Sequence, residues 1–214
     1  MAKCRFSDIL TREWDDFTDD ERQHFVRNIH SSAQNTFKLL ENLLAWSLAQ
    51  TGRQNFNPFP VDLSVVTNDM VILLRDQAER KQIKMFTAVN FGTVVLADEQ
   101  MVRTVIRNLI SNAIKFTPNG GQIRVFAENI KDEAEQREMI KICVTDTGIG
   151  IPRENLDKLF RIDQQVRTSG TANEKGTGLG LILCKELTDK HGGKIWAESE
   201  VGKGSKFCVS LPKI

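Results

Sequence analysis

Residues 19–51 contain neither glycine nor proline. Nothing in that stretch terminates or kinks a helix, so it reads as one long helix. Thr18, followed three residues later by Glu21, fits a capping box at its start. Phe25, Ile29, Ala33, Thr36, Leu40, Leu43 and Ser47 recur at spacings of three and four, which makes one face a packing seam. A helix with an apolar face this wide needs a neighbour. The segment 4–13 or a second copy of the chain would supply it, and a homodimer through this helix is the expectation. The acids Asp15, Asp16, Asp19, Asp20 and Glu21 gather at the positive end of the helix dipole; they lack the glycine and oxygen spacing of a calcium loop.

The remaining residues must build a core, and the composition allows it: 40% of the 214 residues are hydrophobic and 27% charged. A mostly disordered chain is excluded. No apolar run approaches the roughly 18 residues a membrane-spanning helix needs, so no direct membrane contact is expected. Lys plus Arg number 29 against 28 for Asp plus Glu. A net charge of +1 leaves no broad footprint for nucleic acid. Cys4, Cys143, Cys184 and Cys208 show no C-x-x-C spacing, so reduced thiols are expected, not a zinc site or disulfide framework. The first residues lack the apolar centre of a signal peptide, and a cytoplasmic location follows as the expectation.

Composition shifts near 52–60, where Asn57-Pro58-Phe59-Pro60 reads as a linker. Residues 1–57 are therefore expected to form part of a helical hairpin plus linker, and 58–214 a separate domain. Within the latter, helices are expected at 62–81, from Asp98 onward, and at 179–191, with a short one near 153–159. Strands are expected at 83–91, 93–97, 121–130, 139–146, 194–199 and 205–211, with Gly92 as a turn. His191 falls at a helix end, where a cationic side chain would suit the dipole. The fold class is α+β, a two-layer sandwich of about five strands backed by three helices.

Two glycine clusters stand out. Asp146-Thr147-Gly148-Ile149-Gly150-Ile151 directly follows a strand, and Gly176-Thr177-Gly178-Leu179-Gly180-Leu181 leads into a helix. Such loops can present backbone N–H groups to phosphate oxygens, although either cluster alone reads first as a tight turn. Neither is a P-loop, and the second is G-x-G-x-G instead of a dinucleotide fingerprint. A third element is the helical segment Asn108-Leu109-Ile110-Ser111-Asn112-Ala113-Ile114-Lys115. Asn108 and Asn112 share a face with Lys115 close by. Two amides and a lysine offer oxygens to Mg²⁺ and a cation to phosphate, the needs of a metal-bound nucleotide.

With these three elements the sequence resembles the catalytic, ATP-binding domain of bacterial sensor histidine kinases, from about residue 60 to 212. Residues 108–115 resemble the N box, 146–151 the first glycine box, Leu159-Phe160 the F box and 176–181 the second glycine box. Gly202-Lys203-Gly204-Ser205-Lys206-Phe207 with Leu211-Pro212 resembles the closing strands. The resemblance implies ATP and Mg²⁺ as ligands and the fold shared by histidine kinases and gyrase-type ATPases. It implies that Asp146 accepts a hydrogen bond from the adenine amine, while Gly148 and Gly150 let the backbone approach the base. Asn112 would hold Mg²⁺, Asn108 would sit beside metal and phosphates, and Lys115 would meet a phosphate. Residues 161–175 would form a lid, anchored at its near end by Leu159 and Phe160. Lys175, Gly176, Thr177, Gly178, Leu179 and Gly180 would line the phosphates, and Arg167 and Lys175 are lid cations.

ATPases of the same fold carry a glutamate as base where this chain has Asn108, an amide that takes no proton near neutral pH. That favours phosphoryl transfer over hydrolysis. The resemblance also implies a phosphoacceptor histidine, followed by an acidic residue and then proline, on a preceding helix. His24, His30 and His191 all lack that context. The long helix instead resembles the second helix of the dimerisation hairpin, and the chain is expected to be a fragment or short relative of a longer kinase. The expected function is the Mg-ATP-binding core of an enzyme that phosphorylates a histidine for relay to a response-regulator receiver domain. The alternatives are a nucleotide-sensing dimerisation module and an ATPase.

Overall fold

The computed structural model describes residues 10–12, 14–50, 56–132, 136–161, 163, 170–172, 174 and 178–214. Backbone proximity divides the chain into two compact units, Met1–Leu44 and Ala45–Ile214.

In the first unit a 3-10 turn, Trp14–Asp16, precedes helix α1, Asp19–Gln50, whose residues from Ala45 onward are counted with the second unit. Its start is the reciprocal box expected from the residue types. Thr18 N donates to Glu21 Oε2 at 2.9 Å, and Glu21 N donates to Thr18 Oγ1 at 3.4 Å. The backbone bond from Thr18 holds the Glu21 carboxyl below its ordinary pKa. Among the described residues the seam is covered at its beginning. Phe25 meets the edge of Phe17 with ring centres 5.1 Å apart, whereas Leu40 and Leu43 are 58% and 47% exposed. His24 and His30 also lie exposed on α1.

The second unit runs β1 (Phe59–Asp62), α2 (Leu63–Arg80), β2 (Lys84–Ala88), β3 (Val94–Ala97), α3 (Glu99–Phe116), β4 (Gln122–Asp132) and β5 (Arg137–Asp146). It continues through α4 (Arg153–Leu156), α5 (Gly180–Lys190), β6 (Ile195–Glu200) and β7 (Gly204–Pro212). The main sheet has the order β2-β4-β5-β7-β6; β2 is parallel to β4 and the other pairs are antiparallel. Ile123 and Val125, then Ile140, Ile142 and Val144, then Phe207, Val209 and Leu211 alternate along their strands and are all buried. They share one core with Val66, Met70 and Leu74 of α2, Val102, Ile106 and Leu109 of α3, and Leu183 and Leu187 of α5. Burying each such side chain is worth roughly 1.5–3 kcal/mol, so this face carries the fold. The arrangement is the expected α+β sandwich of five strands under three helices.

Two expectations change, and one holds in a different setting. Phe59 and Pro60, read as the end of the linker, instead open strand Phe59–Asp62, which pairs with β3 in a separate two-stranded sheet. A proline is tolerated at such an edge. Gly92 turns the chain between β2 and β3, but those strands pair with β4 and β1 respectively. Asp62 accepts from Gly92 N at 3.0 Å and from Ser64 N at 2.8 Å, so one aspartate both holds that turn and caps α2. Finally, Cys143 and Cys208 are joined in a disulfide instead of being reduced. They stand directly opposite on β5 and β7, with Cα atoms 4.2 Å apart. Only strand pairing brings these residues together across 65 positions of sequence, so no local spacing announces them. Cys184 is a free, buried thiol.

Candidate functional site

Helix α3 is the spine of the site. Asp98 caps its start by accepting from Met101 N at 3.2 Å, and Val102, Val105, Ile106, Leu109 and Ala113 bury its inner face. Asn108 falls within that buried surface, only 6% exposed, and its Nδ2 has no hydrogen-bond partner among the described residues. An unsatisfied buried amide costs about 1–3 kcal/mol, so a polar group at this place has a ready donor. Gly180, the first residue of α5, faces it: a Cβ there would stand 3.3 Å from Asn108 Oδ1. The Cys184 thiol on α5 is also beside Asn108, and burial pushes its pKa up to about 12. Asn112, one turn further along α3, is half-buried. Lys115, also half-buried, holds its Nζ 4.6 Å from the centre of the Phe116 ring.

The first glycine box closes against the end of this helix. β5 delivers Asp146 into the interior, 4% exposed, where Oδ1 accepts from Gly148 N at 2.8 Å and Ser205 N at 3.2 Å. Burial pushes its pKa up to about 6, against the pull of those two N–H groups. A Cβ on Gly148 would lie 2.6 Å from the Phe116 carbonyl oxygen. Gly150 has φ +71° and packs on the Glu200 carbonyl, leaving no room for a side chain. Both glycines thus permit close approach to the protein's own backbone. Ile149 N donates to Phe116 O at 3.1 Å, and Gly202 N to Ile149 O at 2.9 Å, tying the loop to α3 and to the turn before β7.

The second glycine box is described only in part. Gly178 has φ +77°, and α5 begins at Gly180 without a side-chain cap or an acidic residue in its first turn. Such a helix start suits an anion. Lys175, Gly176 and Thr177, together with Arg167, lie outside the described residues. Leu159 and Phe160 are half-buried and pack on the core, and Arg161 pairs with Asp163 at 2.9 Å.

His191 departs from the cation expected at a helix end. Its Nε2 accepts from Asp98 N at 2.9 Å while Nδ1 lies 2.6 Å from the Leu187 carbonyl, an arrangement that assigns the proton to Nδ1 of a neutral ring. Burial lowers its pKa. The reason is tertiary: the ring is buried between the end of α5 and the start of α3, where a charge would be desolvated.

Several residues escaped sequence reasoning. Ser205 holds Asp146, and Ser199 Oγ accepts from Ile151 N at 2.8 Å and lies 2.9 Å from Ser205 Oγ, so the two serines brace the first glycine box. The run 202–207 that resembles closing strands was the signal for Ser205, and Ser199 had none. Lys81, Thr171 and Glu174 meet at the C-terminal end of α3, where Lys81 is 8% exposed. Lys81 ends a run of charges, Glu79-Arg80-Lys81, that reads as a solvated helix end.

The donor set suits a metal-bound adenine nucleotide. A buried carboxylate can receive an exocyclic amine, and amide oxygens on α3 are hard ligands of the kind Mg²⁺ takes. The open start of α5 and Lys115 complement phosphate. Among the described residues no three His, Cys, Asp or Glu side chains cluster to hold a metal alone. Mg²⁺ at Asn112 would therefore share its coordination with nucleotide phosphates.

Residues 97–214 match a family described as histidine kinase-, DNA gyrase B-, and HSP90-like ATPase. The chain is 36% identical over 208 residues to the non-motile and phage-resistance protein of Caulobacter vibrioides, covering 97% of this chain and 24% of that protein. It is 33% identical over 199 residues to the circadian input-output histidine kinase CikA of Synechococcus elongatus, covering 91% and 25%. It thus spans about a quarter of the length of these curated relatives. Among solved structures, full-length ShkA in complex with AMPPNP superposes with a TM-score of 0.74 at 25% identity, over 92% of this chain and 40% of that one. No helix among the described residues is long and apolar enough to cross a membrane.

Proposed function

Since this chain belongs to the family of histidine kinase-, DNA gyrase B- and HSP90-like ATPases, we propose that it is the Mg-ATP-binding catalytic core of a sensor histidine kinase. In the complete protein it transfers the γ-phosphate of ATP to a histidine, from which an aspartate of a response-regulator receiver domain receives it. The observation that carries this reading is the convergence on α3. One glycine box closes on its C-terminal end around buried Asp146, and the other leads into α5 opposite Asn108, whose Nδ2 is buried without a hydrogen-bond partner among the described residues. The relative named a histidine kinase and the AMPPNP complex of ShkA point the same way.

Each residue has a task that its surroundings support. Asp146, with Oδ1 engaged by two N–H groups, accepts the adenine amine as a carboxylate. Asn112 supplies an amide oxygen to Mg²⁺, which neutralises phosphate charge when bound. Asn108 donates its buried N–H toward the same phosphates, and Lys115 adds a cation. Lys175, Gly176, Thr177, Gly178 and Leu179 complete the phosphate-facing loop ahead of Gly180. Because Asn108 cannot act as a base, the nucleophile is a histidine and water is not activated. The exposed half of the α1 seam, Leu40 and Leu43, pairs with a second copy to form a homodimer.

Labelled ATP and a separate acceptor domain bearing a histidine test the reading. Transfer of acid-labile phosphate to that histidine, with little label on this chain alone, is the expected result. Nucleotide binding without transfer would leave a sensing module, and steady phosphate release would leave an ATPase.

A further inference from the structure

Lys81 is an unusual place to find an ammonium group. It follows α2, is 8% exposed, and its Nζ meets four acceptors: Ile114 O at 2.8 Å, Lys115 O at 3.1 Å, Thr171 Oγ1 at 2.6 Å and Glu174 Oε1 at 3.1 Å. The first two are carbonyls in the last turn of α3, which no further helical residue can satisfy. The other two belong to a segment outside every helix and strand. A buried ammonium is tolerated only when it is paired and hydrogen-bonded, and here both conditions depend on that segment.

The segment is built to fit. Gly170 N donates to Glu174 O at 2.9 Å, and Ala172 N to Glu174 Oε2 at 2.7 Å, so the turn folds around the Glu174 carboxylate. Thr171 N donates to Lys115 O at 3.0 Å, and Thr171 Oγ1 to Thr117 O at 2.9 Å. A Cβ on Gly170 would stand 2.6 Å from Lys115 Cγ, so the chain lies directly on the end of α3. Burial raises the Glu174 carboxyl, but backbone N–H groups and Lys81 more than offset it and hold its pKa below the ordinary value.

We infer that Lys81 is a positioning residue that ties Thr171 and Glu174 to the end of α3, the helix carrying Asn108, Asn112 and Lys115. This rests on the nucleotide reading of the site, because the consequence of the tether is the placement of phosphate-facing groups. A helix cap alone would need the two carbonyls and nothing from Thr171 or Glu174. The shared carboxylate turns a cap into a link between two regions 93 residues apart in sequence.

The test uses the full chain with Glu174→Gln and Thr171→Val, both on the more exposed side of the cluster, and with Lys81→Met. In nucleotide-free protein, exchange of the Thr171 amide is expected to rise about tenfold in Glu174→Gln, with its unfolding midpoint within about 2 °C of the parent. Affinity for a fluorescent ATP analogue is expected to fall about fivefold in Glu174→Gln and in Lys81→Met. The double variant should be no weaker than the weaker single, because both remove one link. An unchanged Thr171 exchange rate in Glu174→Gln, or unchanged affinity in a folded variant with fast exchange, overturns the tether. A parent chain that binds no analogue would instead remove the nucleotide reading, and the exchange rates would still decide the link.

Discussion

In the proposed nucleotide site, the base end and the phosphate end are held in opposite ways. At the base end, Asp146 is locked by Gly148 N and Ser205 N, and the loop behind it leans on Phe116, Glu200 and the Ser199–Ser205 pair. At the phosphate end, Asn108 Nδ2 is buried without a hydrogen-bond partner among the described residues, α5 starts without a side-chain cap, and Thr171 and Glu174 are fastened through Lys81. The difference teaches where rigidity is useful. Recognition of a flat base by one carboxylate needs a fixed acceptor. Phosphates and metal bring their own charge and ligands, so the protein can leave groups there to be satisfied on binding.

The harshest way to break the comparison is Gly150→Ala. It puts a Cβ onto the Glu200 carbonyl at φ +71°. The expected cost is about 3 kcal/mol, a drop of roughly 6–12 °C in unfolding midpoint, with analogue binding lost. A variant with parental melting would mean that the base end is not rigid. Next is Asp146→Asn, which keeps shape and removes the charge. Affinity for an ATP analogue should fall about 10- to 100-fold while the melting temperature holds, because an amide avoids the desolvation that raises the carboxyl's pKa. Unchanged affinity by titration would remove the adenine assignment.

At the other end, Asn112→Ala should weaken binding about tenfold in magnesium buffer and leave it unaltered in a chelator. Equal loss in both buffers would show that Asn112 touches the nucleotide and not the metal.

The gentlest test is pH. The Asp146 pKa is raised in the fold from 3.8 to about 6. Its contribution to stability is therefore complete below pH 3.8 and is lost as pH rises through about 6, on the order of 2–3 kcal/mol in all. Analogue affinity should rise over the same interval as the accepting carboxylate forms. His191 acts in the opposite sense: its pKa is lowered from 6.5, so its contribution is present above that value and lost as pH falls. Denaturant titrations of nucleotide-free Asp146→Asn and the parent across this range separate the two groups. Parallel curves would show that Asp146 ionises normally.

Much of this molecule is legible in the residues because local chemistry decides it. Thr18 and Glu21 announce the start of α1, Asp98 the start of α3, and the apolar run with Ile140, Ile142 and Val144 announces a strand. The first glycine box is equally plain, since a loop that turns directly after a strand needs glycine. Ser205 is harder: it matters only because β7 pairs with β5 in a register that sets it opposite Asp146. Pro60 hid a strand because its missing N–H counts against pairing everywhere except at an edge.

Sequence alone determined most of the elements and the α+β class, because propensity, periodicity and turn chemistry act over a few neighbouring residues, and it set the order of the glycine boxes along the chain. Tertiary structure decided which distant groups meet. Cys143 reaches Cys208, His191 becomes a neutral acceptor for Asp98, and Lys81 gathers Thr171 and Glu174. Burial and proximity set the charge and the partners of each, and both arise only when the sheet and the helices have closed on one another.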